Sequence, residues 1–242
     1  MNNNMIQLSL KDTFRFSCHS EVPCFNACCK DLNQSLTPYD IIRLKNHLGL
    51  TSGVFLERYT SQHIGPESGL PIITLKFESS HDLRCPFVAP SGCRVYKDRP
   101  SSCRSYPLAL AASRSRATGE IVEQYLLLRE PHCLGFEQDR TQTVEEWLEG
   151  QGIPIYNRLN NLLLEILSLK NRLNPGPLDI RSGHLFHLAC YDLDNFRIHI
   201  FEKGLLEDRN LDSATLDAIE NDDVALLKLG IEWIKRELFD VV

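Results

Sequence analysis

The 242-residue sequence has no excess of basic residues and no long hydrophobic run. Lysine and arginine number 26 against 32 aspartate and glutamate residues, which gives a formal net charge of -6. A general nucleic-acid or membrane-surface binder would show the opposite balance, so we expect neither partner. No stretch approaches the roughly 20 consecutive apolar residues that a membrane-spanning helix needs. The N-terminal residues also lack the basic and apolar regions of a secretory signal, which predicts a cytoplasmic protein.

Several motifs of common enzymes are also missing from the sequence. There is no glycine-rich phosphate loop, no Gly-x-Gly-x-x-Gly fingerprint and no Gly-x-Ser-x-Gly elbow. These absences argue against the usual nucleotide-binding, adenosylmethionine-binding and hydrolase sites. The spacing of the cysteines does not match the usual three-cysteine loop of radical-adenosylmethionine enzymes either. The sequence therefore identifies no reaction.

Cysteine is the residue that the sequence has in abundance. Eight of its nine cysteines lie within the first 133 residues, in a first cluster and a more widely spaced second one. In a reducing cytoplasm clustered thiols hold metal or do redox work, and four thiolates suit a tetrahedral zinc ion or an iron–sulfur cluster. The predicted metal ligands are Cys18, Cys24, Cys28, Cys29, Cys85, Cys93, Cys103 and Cys133. Cys190 stands apart and is predicted to be a buried core thiol.

The adjacent pair Cys28-Cys29 restricts how these thiols can be shared. Neighbouring side chains diverge from an extended backbone, so the two rarely bind one ion without a tight turn. Either they serve two metal sites or they bind different irons of one cluster. No two cysteines have the two-residue gap common in zinc fingers, so the spacing does not select the metal.

Other polar residues near the cysteines are secondary candidates for the site. His19 and His132 each adjoin a cysteine and are alternative ligands or hydrogen-bond donors to the site. Arg99 and Arg104 are predicted to offset thiolate charge or to contact the bound cofactor. His184 and His187 lie three apart but have no third ligand nearby, and packing explains them better than metal binding.

The sequence predicts an α+β fold that is mainly helical, with a small antiparallel hairpin or sheet. A cysteine-rich lobe at 12–137 would precede a helical lobe at 138–242, or the two would form one continuous domain. Capping signals place helices after Thr37, Thr143, Asp192 and Asp222. Further predictions are a helix over 53–59, a strand over 71–77, a hairpin over 105–112 and 120–129, and a helix over 155–171.

The order of the motifs resembles a known family. Cys28-Cys29 is followed by Leu36-Thr37-x-x-Asp40, then by Cys85-Pro86-Phe87, then by Gly92-Cys93 through Arg99-Pro100-Ser-Ser-Cys103, and finally by Cys133-x-Gly135. This order is similar to the YkgJ-type cysteine-cluster family, a zinc- or iron-chelating domain also found in flagellin lysine N-methylase. The resemblance covers about residues 14–137.

The resemblance implies a metal centre held by the eight cysteines, with an iron–sulfur cluster as the first expectation and zinc as the alternative. It does not transfer a reaction, because the methylase belongs to a longer branch with additional sequence. Two other functions remain open: a metal-dependent, methylase-like enzyme that modifies proteins, and a redox or metal-delivery module whose partner is another protein.

Overall fold

The structure is a computed structural model that describes residues 5–77, 82–115 and 118–240. Within these ranges the chain forms nine α-helices and ten short strands. The helices are α1 (Pro38–Leu48), α2 (Ser52–Tyr59), α3 (Ser101–Ser105), α4 (Val144–Gly150), α5 (Ile153–Leu173), α6 (Ile180–Cys190), α7 (Leu193–Phe201), α8 (Ser213–Asn221) and α9 (Asp223–Phe239). The strands are β1 (Met5–Leu8), β2 (Thr13–Arg15), β3 (Ser35–Leu36), β4 (Thr60–Ile64), β5 (Pro71–Leu75), β6 (Val88–Ala89), β7 (Gly92–Cys93), β8 (Leu108–Arg114), β9 (Ile121–Leu128) and β10 (Thr141–Thr143).

The fold is α+β with small antiparallel sheets, as the sequence predicts. The chain divides into two compact units, each built from two stretches. Unit 1 comprises 1–34 and 76–161, and unit 2 comprises 35–75 and 162–242. The predicted boundary at 137–138 describes a change in composition along the chain and stays a prediction. None of the described helices is both long and apolar enough to cross a membrane.

Unit 1 contains all eight clustered cysteines and is organised around a three-stranded antiparallel sheet. The sheet has the order β1-β9-β8, and β10 pairs with β2 in a separate ribbon. Aromatic side chains fill the core beside this sheet: Phe16 packs edge-on against Trp147, with ring centroids 5.5 Å apart. Buried rings of this kind contribute a large apolar area, and they fix the segments that carry the cysteines.

Unit 2 contains α1, α2, the sheet β3-β5-β4 and the helices α6 to α9, with the second part of α5. Helix α1 begins after Thr37, the cap that the sequence predicts, and forms a capping box in which Thr37 and Asp40 each accept from the other's backbone N–H. Gly49 ends α1 in the left-handed conformation. The core includes Phe196, which stacks on Trp233 at 5.3 Å between ring centroids.

Most of the predicted elements are confirmed, with two corrections. The hairpin forms as β8 and β9, but Ser105 ends helix α3, and the first strand begins only at Leu108. Residues 116–117 of its connecting loop lie outside the described residues.

The second correction concerns the start of α7. Asp192 occupies the predicted cap position but makes no capping hydrogen bond. Its carboxylate instead accepts from the Ser52 hydroxyl at 2.6 Å, and that hydroxyl accepts from the Asp194 N–H at 2.9 Å. A side chain from another helix therefore caps α7, and such a partner cannot be read from local sequence.

Candidate metal centre

The first cysteine cluster lies in a chain of tight turns that connects β2 to the next extended segment. Successive turns place the N–H of Val22 on the His19 carbonyl, that of Phe25 on Val22, that of Ala27 on Cys24, and that of Cys29 on Asn26. Asn26 has a φ of 66°, a left-handed conformation that asparagine tolerates well. Its side-chain amide donates to the Ala89 carbonyl at 3.1 Å, which joins the turns to the β6–β7 hairpin. The turns thus present several thiols within a short length of chain.

Cys18 and Cys133 are brought together by backbone pairing around Gly135. The N–H of Ser17 donates to the Gly135 carbonyl at 3.0 Å. A Cβ atom on Gly135 would lie 2.5 Å from the Phe16 ring, so only glycine allows this approach. Next to it, the Leu134 N–H donates to the Cys24 sulfur at 3.2 Å. These contacts gather Cys18, Cys24 and Cys133 on one side of the turns.

Cys29, Cys85 and Cys93 are placed together by two short antiparallel pairings. The Cys85 N–H donates to the Cys29 carbonyl at 2.9 Å, beside a bridge between Lys30 and Arg84. Strand β6 then pairs with β7, with Val88 opposite Cys93. The neighbouring helix α3 carries Cys103, whose thiol donates to the Gln34 side-chain carbonyl at 3.5 Å.

Electrostatic interactions link many of the eight thiols to one another. The pKa of Cys18 is raised to about 11, first by the surrounding protein atoms and then by the charges of Cys28, Cys24 and Cys133. Burial, and then the charges of Cys24 and Cys28, also raise the pKa of Cys133. These effects outweigh the hydrogen bonds from Tyr106 and the Gly135 N–H, which lower it. We call this set the Cys18 group; its members are Cys18, Cys24, Cys28 and Cys133.

The remaining four thiols are linked to this set through the adjacent pair, because a hydrogen bond between the Cys28 and Cys29 side chains is the largest cause of both pKa shifts and lowers the pKa of Cys28 to about 7. The pKa of Cys29 is raised by its interaction with the Cys28 side chain, by burial, and by the charges of Cys28, Cys85 and Cys103. Burial raises the pKa of Cys85, and the charge of Cys93 adds to the effect. We call this set the Cys85 group; its members are Cys29, Cys85, Cys93 and Cys103. These two sets differ from the two clusters along the sequence only in Cys29 and Cys133.

Backbone N–H groups point at several of these sulfurs. Cys85, Cys93 and Cys133 each interact with the N–H two residues further along the chain, on Phe87, Val95 and Gly135. Such hydrogen bonds stabilise a thiolate and lower its pKa, against the effect of burial. The thiols of Cys18, Cys28 and Cys103 remain exposed to solvent. Thiolates supplied with N–H donors near the surface are suited to binding metal.

Tyr106 has a buried hydroxyl without an aligned hydrogen bond beside the Cys18 group. Burial, and then the neighbouring Cys133 thiol and Glu130, raise its pKa, so the hydroxyl stays protonated at neutral pH. A buried donor without an acceptor is costly. A thiolate at Cys133 would supply the acceptor, so Tyr106, one of the polar residues that the sequence places beside the cysteines, is suited to donate to it.

The clustered thiols are suitable ligands for a metal, although the structure does not place them around a common centre. Among the described residues no group of three His, Cys, Asp or Glu side chains has the placement to hold a metal ion. In a tetrahedral zinc site with bonds of about 2.3 Å, the sulfurs lie only about 3.8 Å apart. Binding would therefore draw the members of a group closer together.

The two predicted arginines have different surroundings. Arg99 is buried, stacks on the Tyr96 ring at 3.9 Å, and interacts with the charges of Cys93 and Cys103. Arg104 donates to the carbonyls of Gln151 and Lys97, which ties α3 to the end of α4. Contact of either arginine with a cofactor stays a prediction, and the structure places only Arg99 close to several thiols.

His19 and His132, the two histidines next to cysteines, each lie beside a glutamate. His19 lies 3.9 Å from Glu21 and His132 lies 3.5 Å from Glu130, both with exposed side chains. His187 packs against Tyr191 in α6, and burial lowers its pKa. Cys190 is fully buried in the same helix, as predicted for a core thiol.

Comparison with known proteins agrees with this picture of the site. No curated protein and no solved structure matches the chain. A family model does match residues 17–134, which span all eight clustered cysteines; the family is CxxCxxCC, described as a "putative zinc- or iron-chelating domain". This match supports metal binding by unit 1, with zinc or iron as the metal. Residues 17–134 of this chain are thus similar to the CxxCxxCC cysteine-cluster domain.

Proposed function

We propose that this chain is a cytoplasmic protein that holds an iron–sulfur cluster, with zinc as the alternative, through its eight clustered cysteines. The observation that carries the proposal is the gathering of all eight thiols in unit 1, although 115 positions separate Cys18 from Cys133. A reduced core has no need of eight thiols near its surface, whereas four thiolates complete the coordination of either metal centre.

Three features support thiolates as the ligands. The thiols interact electrostatically with one another, backbone N–H groups supply hydrogen bonds to them, and Tyr106 offers a further donor at Cys133. When bound, the metal centre would supply cross-links between loops, and an iron–sulfur cluster would also supply electron transfer. The chain's own residues hold the loops in place, donate to the sulfurs and, at Arg99, offset negative charge.

Purification under anaerobic conditions tests the proposal. We expect iron and acid-labile sulfide in the protein, with a broad absorption near 400 nm. A colourless protein with stoichiometric zinc would support the alternative metal. A chain that retains neither metal after expression in medium supplied with both, and takes up neither after reduction of its thiols, would contradict the proposal.

A redox or metal-delivery role is a second candidate, favoured by the solvent exposure of Cys18, Cys28 and Cys103. A protein partner could reach a metal held by exposed thiols without unfolding of unit 1. We expect such a metal to pass to a weak chelator while unit 2 stays folded. Retention of the metal against a strong chelator for hours would argue against delivery and leave a structural or redox centre.

A further inference from the structure

The three-stranded sheet β1-β9-β8 has two faces, of which one packs into the core of unit 1. Side chains alternate between the faces along each strand, and residues that pair directly point to the same side. The core side is the one that holds Tyr125 and Leu127, which are buried, with their partner Leu108. The alternate positions form the outward face of the sheet: Met5, Gln7, Ala109, Ala111, Ser113, Val122, Gln124, Leu126 and Leu128.

The outward face is uncharged and open to solvent. In the described strands none of its positions carries a charge, although 24% of the chain's residues are charged. The solvated face of an antiparallel sheet usually carries polar side chains. Here Met5 is 60% exposed and Val122 is 47% exposed, and none of the outward side chains is buried. An exposed face of this composition is typical of a surface that contacts another protein surface.

The sizes of the outward side chains make the face complementary to itself. Strand β8 contributes small side chains, Ala109, Ala111 and Ser113, whereas its neighbour β9 contributes the larger Leu126 and Leu128. A row of small residues therefore lies beside a row of large ones. Two sheets that pack face to face interdigitate such rows about 10 Å apart. A two-fold axis would place the large row of each copy over the small row of the other.

The charge of the chain favours a second copy as the occupant of this face. A basic or an acidic partner would find no charged side chain to pair with on it. Two copies of a chain with a formal charge of -6 repel each other, and an uncharged face lets them meet without opposing like charges at the contact. The outward face satisfies this requirement at every position.

We propose that two copies of this chain form a dimer through the outward face of the β1-β9-β8 sheet, with Leu126 and Leu128 of one copy packed against Ala109 and Ala111 of the other. The inference goes beyond the proposed function and does not depend on a bound metal. Three short strands about 4.8 Å apart give a small contact area, at the low end of specific interfaces. We therefore expect a dimer that dissociates on dilution.

Sedimentation velocity of the full chain tests the proposal, under reducing conditions that prevent intermolecular disulfides. We expect a monomer of 27.6 kDa at low concentration and a species of about twice that mass at roughly 100 μM. A chain that stays monomeric at that concentration would overturn the inference and leave metal binding untouched. A monomer that instead binds phosphatidylcholine vesicles would give the face a different occupant and would also overturn it.

Two neighbouring residues of β9 provide a matched pair of variants. Val122 lies on the outward face, whereas Ile121, which is 37% exposed, lies on the opposite one. Val122→Glu adds a charge to the interface, and we expect it to weaken the dimer by about tenfold or more. Ile121→Glu adds the same charge to the same strand and should leave the dimer unchanged. Equal effects of the two variants would contradict an interface on the outward face.

Gln124→Glu tests the middle of the face with almost no change in side-chain shape. Because Gln124 is exposed, the variant should fold normally, which far-ultraviolet circular dichroism verifies. We expect a loss of dimer similar to that of Val122→Glu, since a two-fold contact would bury two added carboxylates. A dimer that persists in both variants would show that the copies associate through another surface, and the inference would be wrong.

Discussion

The surroundings of Gly135 leave no room for a side chain, and the packing beside Cys133 depends on this. Replacement of Gly135 by alanine would place a Cβ atom 2.5 Å from the Phe16 ring and 2.9 Å from the Ser17 carbonyl oxygen. Both neighbours lie in the buried, cysteine-bearing part of unit 1, so little can move. We expect a loss of about 1–3 kcal/mol in the free energy of unfolding, together with weaker metal binding.

Gly150 provides the matched control for this prediction. An added Cβ atom there meets nothing within 4 Å, and the residue ends helix α4 of the same unit. Gly150→Ala should leave metal binding unchanged and stability equal or slightly higher. Metal titration and thermal melts of both variants provide the comparison; equal behaviour would show that the Gly135 contact is unimportant.

Tyr106 tests whether a hydrogen bond to a bound thiolate tunes the site. In the metal-free chain its hydroxyl has no aligned partner, so Tyr106→Phe should change stability little or raise it. In the metal-loaded chain we expect faster metal release and a shifted charge-transfer band, because Cys133 would lose a donor. Tyr156→Phe is the control, because it removes a hydroxyl from another buried tyrosine of unit 1, in α5. Identical spectra of the two metal-loaded variants would contradict the role of Tyr106.

At the scale of elements, α1, α7 and α9 of unit 2 are held by a network of buried charges. Asp223, in the first turn of α9, accepts from Arg197 at 2.7 Å, Lys45 at 2.9 Å and Asn46 at 3.0 Å. Burial would raise the pKa of Asp223, but the three hydrogen bonds outweigh it and hold the pKa below its usual value. The carboxylate form therefore stabilises the folded state.

The direction of the pH dependence follows from that lowered pKa. The contribution is complete above the ordinary aspartate pKa of about 3.9 and is lost as the pH falls below it through the folded-state value. Asp223→Asn should cost about 2 kcal/mol at pH 7 and less at pH 3. Urea unfolding monitored by tryptophan fluorescence at both pH values measures the difference; an equal cost at both would contradict the network.

Sequence patterns predict the elements whose signals are local. The caps at Thr37 and Asp222 and the capping box at Thr143 all form as expected. The predicted capping of α7 by Asp192 is wrong, because the side chain of Ser52, which is distant in the sequence, caps this helix. Strands of two or three residues such as β2 and β3 escape prediction, since their partners β10 and β5 lie far along the chain.

The same distinction applies to the candidate site. The number and clustering of the cysteines are enough to identify eight of them as candidate metal ligands, and the matched family model spans all eight. Their grouping depends on long-range contacts, such as the Leu134 N–H on Cys24, that no spacing reveals. Sequence places Tyr106 among the polar residues near the cysteines, but its approach to Cys133 depends on long-range contacts.

At the scale of the whole molecule, metal should stabilise unit 1 far more than unit 2. The eight thiols are confined to unit 1, whose loops between short strands have few other cross-links. Because metal binding must also draw the thiols together, its free energy contributes directly to folding. Hydrogen exchange of the chain with and without metal should show increased protection around 18–34 and 82–107. An equally large increase in the protection of α6 and α9 in unit 2 would contradict a local effect of the metal.

X-ray absorption spectroscopy of the metal-loaded chain is the measurement that addresses the ligands themselves. We predict a first coordination shell made of sulfur alone, with bonds of about 2.3 Å if the metal is zinc. His19 and His132, each of which lies beside a glutamate, would then be outside the shell. A shell containing nitrogen or oxygen at about 2.0–2.2 Å would contradict a centre held by the eight cysteines.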